Sequence, residues 1–200
     1  MRIAILTPTR GFPRWKHVIC RDTLLIHTLT TPIIYNQRPT VPEVWSCGIE
    51  GAYVADNRNQ LAEQAIARDA DYLLWLDDDM IFPSDSFFRL ALHDLPIVGC
   101  NYRQRIVEEV IPSAFNLVDG EVQRLQPKPE GLEQVDVIGL GVCLMKAHHL
   151  RQLPRPWFRM GADGEDGHIC GLFRAEGMRP VVDHGLSAEV RHVAEIDLAL

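Results

Sequence analysis

The stretch Tyr72-Leu73-Leu74-Trp75-Leu76-Asp77-Asp78-Asp79-Met80-Ile81-Phe82-Pro83 decides the fold. Five bulky uncharged residues predict a buried strand, since the run is too short for a helix. Three carboxylates follow at once, and Pro83 then forbids strand continuation. A strand that ends in clustered aspartates delivers charge to the crevice edge of an α/β sheet, where open sheets bind ligands. Like charges this close stay ionised together only if a cation or a donor network compensates them. Such oxygen ligands suit Mg²⁺ or Mn²⁺, which pair one or two carboxylates with substrate phosphates. The competing reading is a solvated acidic turn. An EF-hand calcium loop is excluded, because Phe82 stands where that loop needs glycine if Asp77 is first.

The 200 residues fit one domain over 1–200, long enough to bury a substantial core. Hydrophobic residues at 46% and charged residues at 24% are ordinary globular values. A net charge of −7 gives no global pull toward nucleic acid or anionic membrane, although basic residues gather between Arg103 and Arg159. The five cysteines are odd in number and form no Cys-x-x-Cys pair, so buried free thiols are expected. The first strand starts at Arg2 and the longest uncharged apolar run, Val137 to Met145, is too short to span a bilayer. The expected location is cytoplasmic.

Outward from the aspartates the pattern alternates between strands and helices. Ile3 to Leu6 predicts a strand, and Thr7-Pro8-Thr9-Arg10-Gly11 a tight loop after it. Trp15, Val18, Ile19, Leu25, Ile26 and Leu29 follow helical spacing and predict a core-facing stripe. Asp56 is the expected N-cap of a helix carrying Arg58, Leu61, Ala62 and Ala65. Ser84 or Asp85 caps the helix after the aspartates, and Pro96 to Tyr102 supplies the next strand. This βαβ unit predicts parallel pairing of its two strands. Asp119-Gly120 marks a hairpin, and Trp157 is expected on the surface. Glu165 and Asp166 open a late helix whose C-terminus is signalled by Gly177, where the macrodipole favours ionised carboxylates.

A hydrophobic strand ending in Asp-x-Asp resembles the signature of family 2-like glycosyltransferases of the GT-A fold, most of all the compact ones of phages and bacteria. Three further stretches join the resemblance: Arg58-Asn59, Val135-Asp136-Val137-Ile138-Gly139-Leu140-Gly141, and Glu165-Asp166. The fold it implies is α/β, a nucleotide-diphospho-sugar transferase fold in one Rossmann-like domain with a central, mostly parallel sheet flanked by helices. The resemblance implies that Asp77 contacts the donor ribose, that Asp79 binds the metal on the donor diphosphate with Asp77 beside it, and that Asp78 is the middle residue. It implies that Thr7, Pro8, Thr9 and Arg10 cradle the nucleotide, that Arg58 lies near the donor, and that Gly139 and Gly141 lie beside donor sugar and acceptor. A late histidine ligates the metal in several GT-A families; His192 takes that place here, with His184 the alternative. Asp166 matches the acceptor-activating base, with Glu165 next to it as the second candidate.

These parts imply a metal-dependent, inverting transfer from a nucleotide-diphosphate sugar, UDP-sugar favoured, to an acceptor hydroxyl. The expected cofactor is Mn²⁺ or Mg²⁺. The acceptor stays open between a glycan, a small molecule, a protein and a hydroxymethylated base of phage-type DNA. A nucleotidyltransferase would carry a Gly-rich basic loop after its first strand, whereas Thr7 to Gly11 holds one arginine and one glycine. A catalytically silent nucleotide-sugar-binding module is the alternative of a different class.

Overall fold

The structure, a computed structural model, describes residues 1–9, 11, 14–35, 38–104 and 110–193. The first half of the chain runs β1 (Arg2–Thr9), α1 (Trp15–Thr30), β2 (Ile33–Tyr35), β3 (Arg38–Thr40), β4 (Glu43–Glu50), α2 (Val54–Ala67) and β5 (Tyr72–Leu76). After the aspartates come β6 (Met80–Ile81), α3 (Ser86–Leu92), β7 (Ile97–Gly99), β8 (Phe115–Val118), β9 (Glu121–Arg124) and β10 (Leu132–Gln134). The last part runs β11 (Val142–Lys146), α4 (Ala147–Leu150), α5 (Gly164–Ala175), β12 (Val181–Asp183), α6 (His184–Ser187) and β13 (Arg191–His192).

A seven-stranded sheet in the order β10-β12-β7-β11-β5-β1-β4 forms the middle layer. β4, β1, β5, β7 and β12 run one way, while β11 and β10 run against them. Side chains alternate across it with the period of a strand buried on both faces. Ala4, Leu6, Leu73 and Trp75 pack toward α2 and α5, whereas Ile3, Ile5, Leu74 and Leu76 pack toward α1 and α3. The uncharged run before the aspartates is therefore strand because both its faces are covered.

Four expectations change. β5 and β7 point the same way but do not pair, because β11 lies between them and is antiparallel to both. The helix between two strands sets their relative direction, while a strand distant in sequence fills the gap. β1 continues through Thr9 alongside β4 instead of turning at Thr7. Its pairing with β5 ends at Leu6, so Pro8 has a strand neighbour on one side only, the setting in which a strand tolerates proline. α1 buries His17, Leu24 and Thr28, and leaves Trp15, Ile19, Ile26 and Leu29 exposed. Thr28 can go inside because its hydroxyl donates to the Leu24 carbonyl at 2.8 Å. Trp157 is buried, with its indole N–H donating to the Leu153 carbonyl.

Other local signals hold. Asp119 and Gly120 both take positive φ in the β8–β9 turn, the conformation that a two-residue hairpin loop requires. Gly177, at φ +76°, ends α5 as its αL residue. One local signal does not: Asp56, expected as the N-cap, lies inside the first turn of α2, and Tyr53 stands at the N-cap. The five cysteines are free thiols. Among the described residues no helix is long and apolar enough to cross a membrane.

Candidate functional site

At the end of β5 the chain leaves the sheet, and the three aspartates part company. Asp77 is fastened by its backbone N–H to the Gly141 carbonyl (3.0 Å) and by its carboxylate to Arg58 Nη2 (2.8 Å). Asp78 turns the other way. Its carboxylate accepts from the Thr9 hydroxyl at 2.5 Å, and its carbonyl accepts the Arg14 N–H that opens α1. Asp79 is buried, and its carbonyl accepts the Val193 N–H at 2.8 Å. The antiparallel pairing of β6 with β13 sets His192 opposite Met80. His192 Nε2 consequently stands 3.7 Å from Asp79 Oδ1. His184, the alternative histidine, is buried elsewhere, with Nε2 on Glu133 at 2.8 Å.

Glu165 and Asp166 occupy the first turn of α5, as their sequence position predicts. Arg58, five residues into α2, joins them to the aspartates. It is 1% exposed, its Nε reaches Glu165 Oε1 at 3.4 Å, and its guanidinium lies 5.4 Å from the Trp75 ring centre. The structure thus places Arg58 as a buried bridge between carboxylates that lie far apart in sequence. Burial alone would lower its pKa. The Asp77, Asp166 and Glu165 charges override that and raise it, so the guanidinium stays charged.

Asp166 is the most perturbed carboxylate. Its Oδ2 accepts the Leu140 N–H at 3.4 Å, and its buried Oδ1 has no hydrogen-bond partner among the described residues. Burial pushes the Asp166 carboxyl up to about 7; Arg58 opposes the rise, and Glu165 and Asp77 add to it. A buried carboxylate poised near neutrality is suited to taking a proton.

Tyr102 is a central residue that no motif announced. Its hydroxyl accepts the Gly141 N–H at 2.8 Å, and its ring meets the His192 ring edge-to-face at 4.9 Å. Burial, with Asp77 and Asp166 nearby, pushes its phenol well above the ordinary value. The two glycines make room for it: a Cβ on Gly139 or Gly141 would come within 2.4 or 2.6 Å of the Tyr102 hydroxyl. Their close approach, expected toward a ligand, is in this structure an approach to a tyrosine. A signal was present in the paired glycines, but nothing local says which bulky side chain fills the space they leave.

The expected nucleotide cradle divides. Thr7 and Pro8 are buried within β1, and Thr9 is partly exposed at its end, where its hydroxyl donates to Asp78. Arg10 lies outside the described residues. Asn57 ties the end of β1 to α2, its side-chain amide donating to the Thr9 and Gly51 carbonyls.

For a metal, the described residues contain no group of three His, Cys, Asp or Glu side chains placed to hold one. They contain the pair Asp79 and His192. A hard carboxylate with an imidazole suits Mn²⁺, and 3.7 Å is a span that two ligands each about 2.1 Å from one ion can bridge. The remaining positions would fall to diphosphate oxygens and water, the usual division at nucleotide sites.

No protein-family model matches the chain, and no curated protein matches it by sequence. Solved structures do resemble it. A197 from STIV superposes over 100% of this chain and 97% of its own length, with a TM-score of 0.66 at 17% identity. GalNAc-T7, solved with UDP, GalNAc and Mn²⁺, matches 98% of this chain and 44% of its own, with a TM-score of 0.55 at 10% identity. This chain therefore spans less than half of that second protein's length. Likeness at such identities establishes the fold: an α/β protein of the GT-A type, built on a central, mostly parallel sheet.

Proposed function

We propose that residues 1–200 form one catalytic unit, a metal-dependent glycosyltransferase that moves a sugar from a UDP-sugar to an acceptor hydroxyl with inversion. One observation carries this reading. Asp77, at the end of β5, and Glu165, at the start of α5, meet on the one buried Arg58, with His192 beside Asp79. The fold is also that of a protein solved with UDP, GalNAc and Mn²⁺.

Asp79 and His192 would hold Mn²⁺ or Mg²⁺, whose charge stabilises the departing diphosphate. Asp166 takes the acceptor proton as the acceptor oxygen bonds to the anomeric carbon and the bond to the diphosphate oxygen breaks. With its pKa near 7, the Asp166 carboxyl is substantially ionised at neutral pH yet basic enough to accept that proton. Glu165 holds Arg58 in place, and Asp77, turned by Arg58, faces the donor ribose. Asp78 and Thr9 hold the end of β1 against the nucleotide side of the crevice. The acceptor enters this scheme through its hydroxyl alone.

Incubation with UDP-sugars and Mn²⁺ should release UDP, and Asp79→Ala should abolish the release. Turnover that survives chelation, or survives in Asp79→Ala, removes the metal from the scheme. A donor-dependent thermal shift without any UDP release would instead identify a silent binding module.

A further inference from the structure

We propose that Tyr102 and Arg103, just past β7, act as positioning residues for His192, fixing Nε2 as the nitrogen presented to Asp79 and to a divalent cation. The inference rests on the metal reading above, but it concerns the protein without metal. His192 Nδ1 lies 2.6 Å from the Arg103 carbonyl oxygen. A carbonyl can only accept, so Nδ1 carries the hydrogen. In the neutral ring the lone pair is then on Nε2, the atom 3.7 Å from Asp79 Oδ1. Histidine in water favours the opposite tautomer, so this arrangement is imposed by the fold. A hydrogen bond on one ring nitrogen commonly sets which nitrogen binds a metal.

Tyr102 supplies the second restraint. Its ring stands 80° to the imidazole and walls off one side of it. The ring is itself anchored at both ends: the hydroxyl takes the Gly141 N–H, and the Tyr102 backbone exchanges two hydrogen bonds with Ser113, at 3.1 and 2.8 Å. Asp77 hangs from the same Gly141 by its backbone. One tyrosine thereby ties the imidazole to the strand that carries the aspartates.

The test uses the metal-free chain and then Mn²⁺ alone, with no donor. Nitrogen-15 NMR of the side chain at about pH 8 should show His192 protonated at Nδ1 and bare at Nε2. Tyr102→Leu should mix the tautomers and weaken Mn²⁺ binding about tenfold, the size seen when outer-shell partners of a ligand are lost. Tyr102→Phe keeps the ring against His192 and loses only the hydroxyl anchor on Gly141, so its Mn²⁺ affinity should fall between those of the parent chain and Tyr102→Leu, an ordering that a general loss of folding would not give. A proton on Nε2 in the parent chain overturns the inference, as does unchanged Mn²⁺ affinity with a single tautomer in Tyr102→Leu. If the expected tautomer is found and Mn²⁺ does not bind, the positioning stands and the metal reading falls. If Mn²⁺ binds and the tautomer is reversed, the outcome is the opposite.

Discussion

The two ends of β5 carry the same kinds of charge and treat them in opposite ways. At the entry end, Lys146 meets Asp94 at 2.5 Å and Arg151 meets Asp69 at 3.7 Å, with both carboxylates more than 80% exposed. Asp69 also has Arg2 at 3.9 Å, and water screens these contacts. At the exit end, among the described residues, Asp77 and Glu165 pair with one buried Arg58, whose charge also acts on Asp166. The entry end is neutralised at the solvent-exposed surface. In the scheme proposed above, a bound cation completes the charge of the exit end, and that is the physical difference the two ends would show.

The sharpest way to break that contrast is to remove Arg58. Arg58→Met should cost about 3–5 kcal/mol in urea denaturation, because it strands buried carboxylates without a counter-charge. A cost below about 1 kcal/mol would mean that the exit end is solvated like the entry end.

Asp166→Asn comes next. Sugar transfer from the UDP-sugar should fall about 10²–10⁴-fold while donor affinity holds. In the unaltered protein the rate should rise with pH through about 7 and then level off, since the ionised form is the base. The stability effect has the matching sign. A carboxyl whose pKa is raised in the fold favours folding at pH below its unfolded value, about 4, and that contribution is lost as pH rises through about 7. Asp166→Asn should accordingly raise Tm at about pH 8 relative to the parent chain and show no gain at about pH 4.

Gly141→Ala tests the packing beside the site. The new methyl would stand 2.6 Å from the Tyr102 hydroxyl, and the expected cost is about 1–3 kcal/mol, read as a lower Tm. The smallest effect belongs to the entry end: Asp94→Asn, which keeps a residue type that tolerates the left-handed backbone there (φ +55°) and removes only the exposed charge, should change stability by no more than about 0.5 kcal/mol. Agreement between the Arg58 and Asp94 variants in either direction would erase the comparison.

Much of the site was legible because its pieces are short and contiguous. An apolar run followed by three aspartates needs no tertiary information to place carboxylates at a strand end. Glu165 and Asp166 were legible at a helix start for the same local reason, with Gly177 marking where that helix stops. Trp157 and α1 were misplaced because apolar spacing tells which residues can share a face, and the sheet then chooses between faces. On α1 the winning face holds His17, whose Nδ1 meets the Met80 carbonyl, and Thr28, whose hydroxyl bonds within the helix. Tyr102 was invisible because its partners, Gly141 and His192, are 39 and 90 residues away.

Taken by itself, the amino-acid order determined an α/β chain with a buried strand that ends in acid, since an uncharged apolar run and a following proline act over a few residues. Only the tertiary structure decided that β11 separates β5 from β7, that His192 and not His184 stands beside Asp79, and that Arg58 clasps acids from two distant segments. Those outcomes depend on which remote surfaces are buried together, and the free energy of that choice belongs to the packed molecule rather than to any window of its sequence.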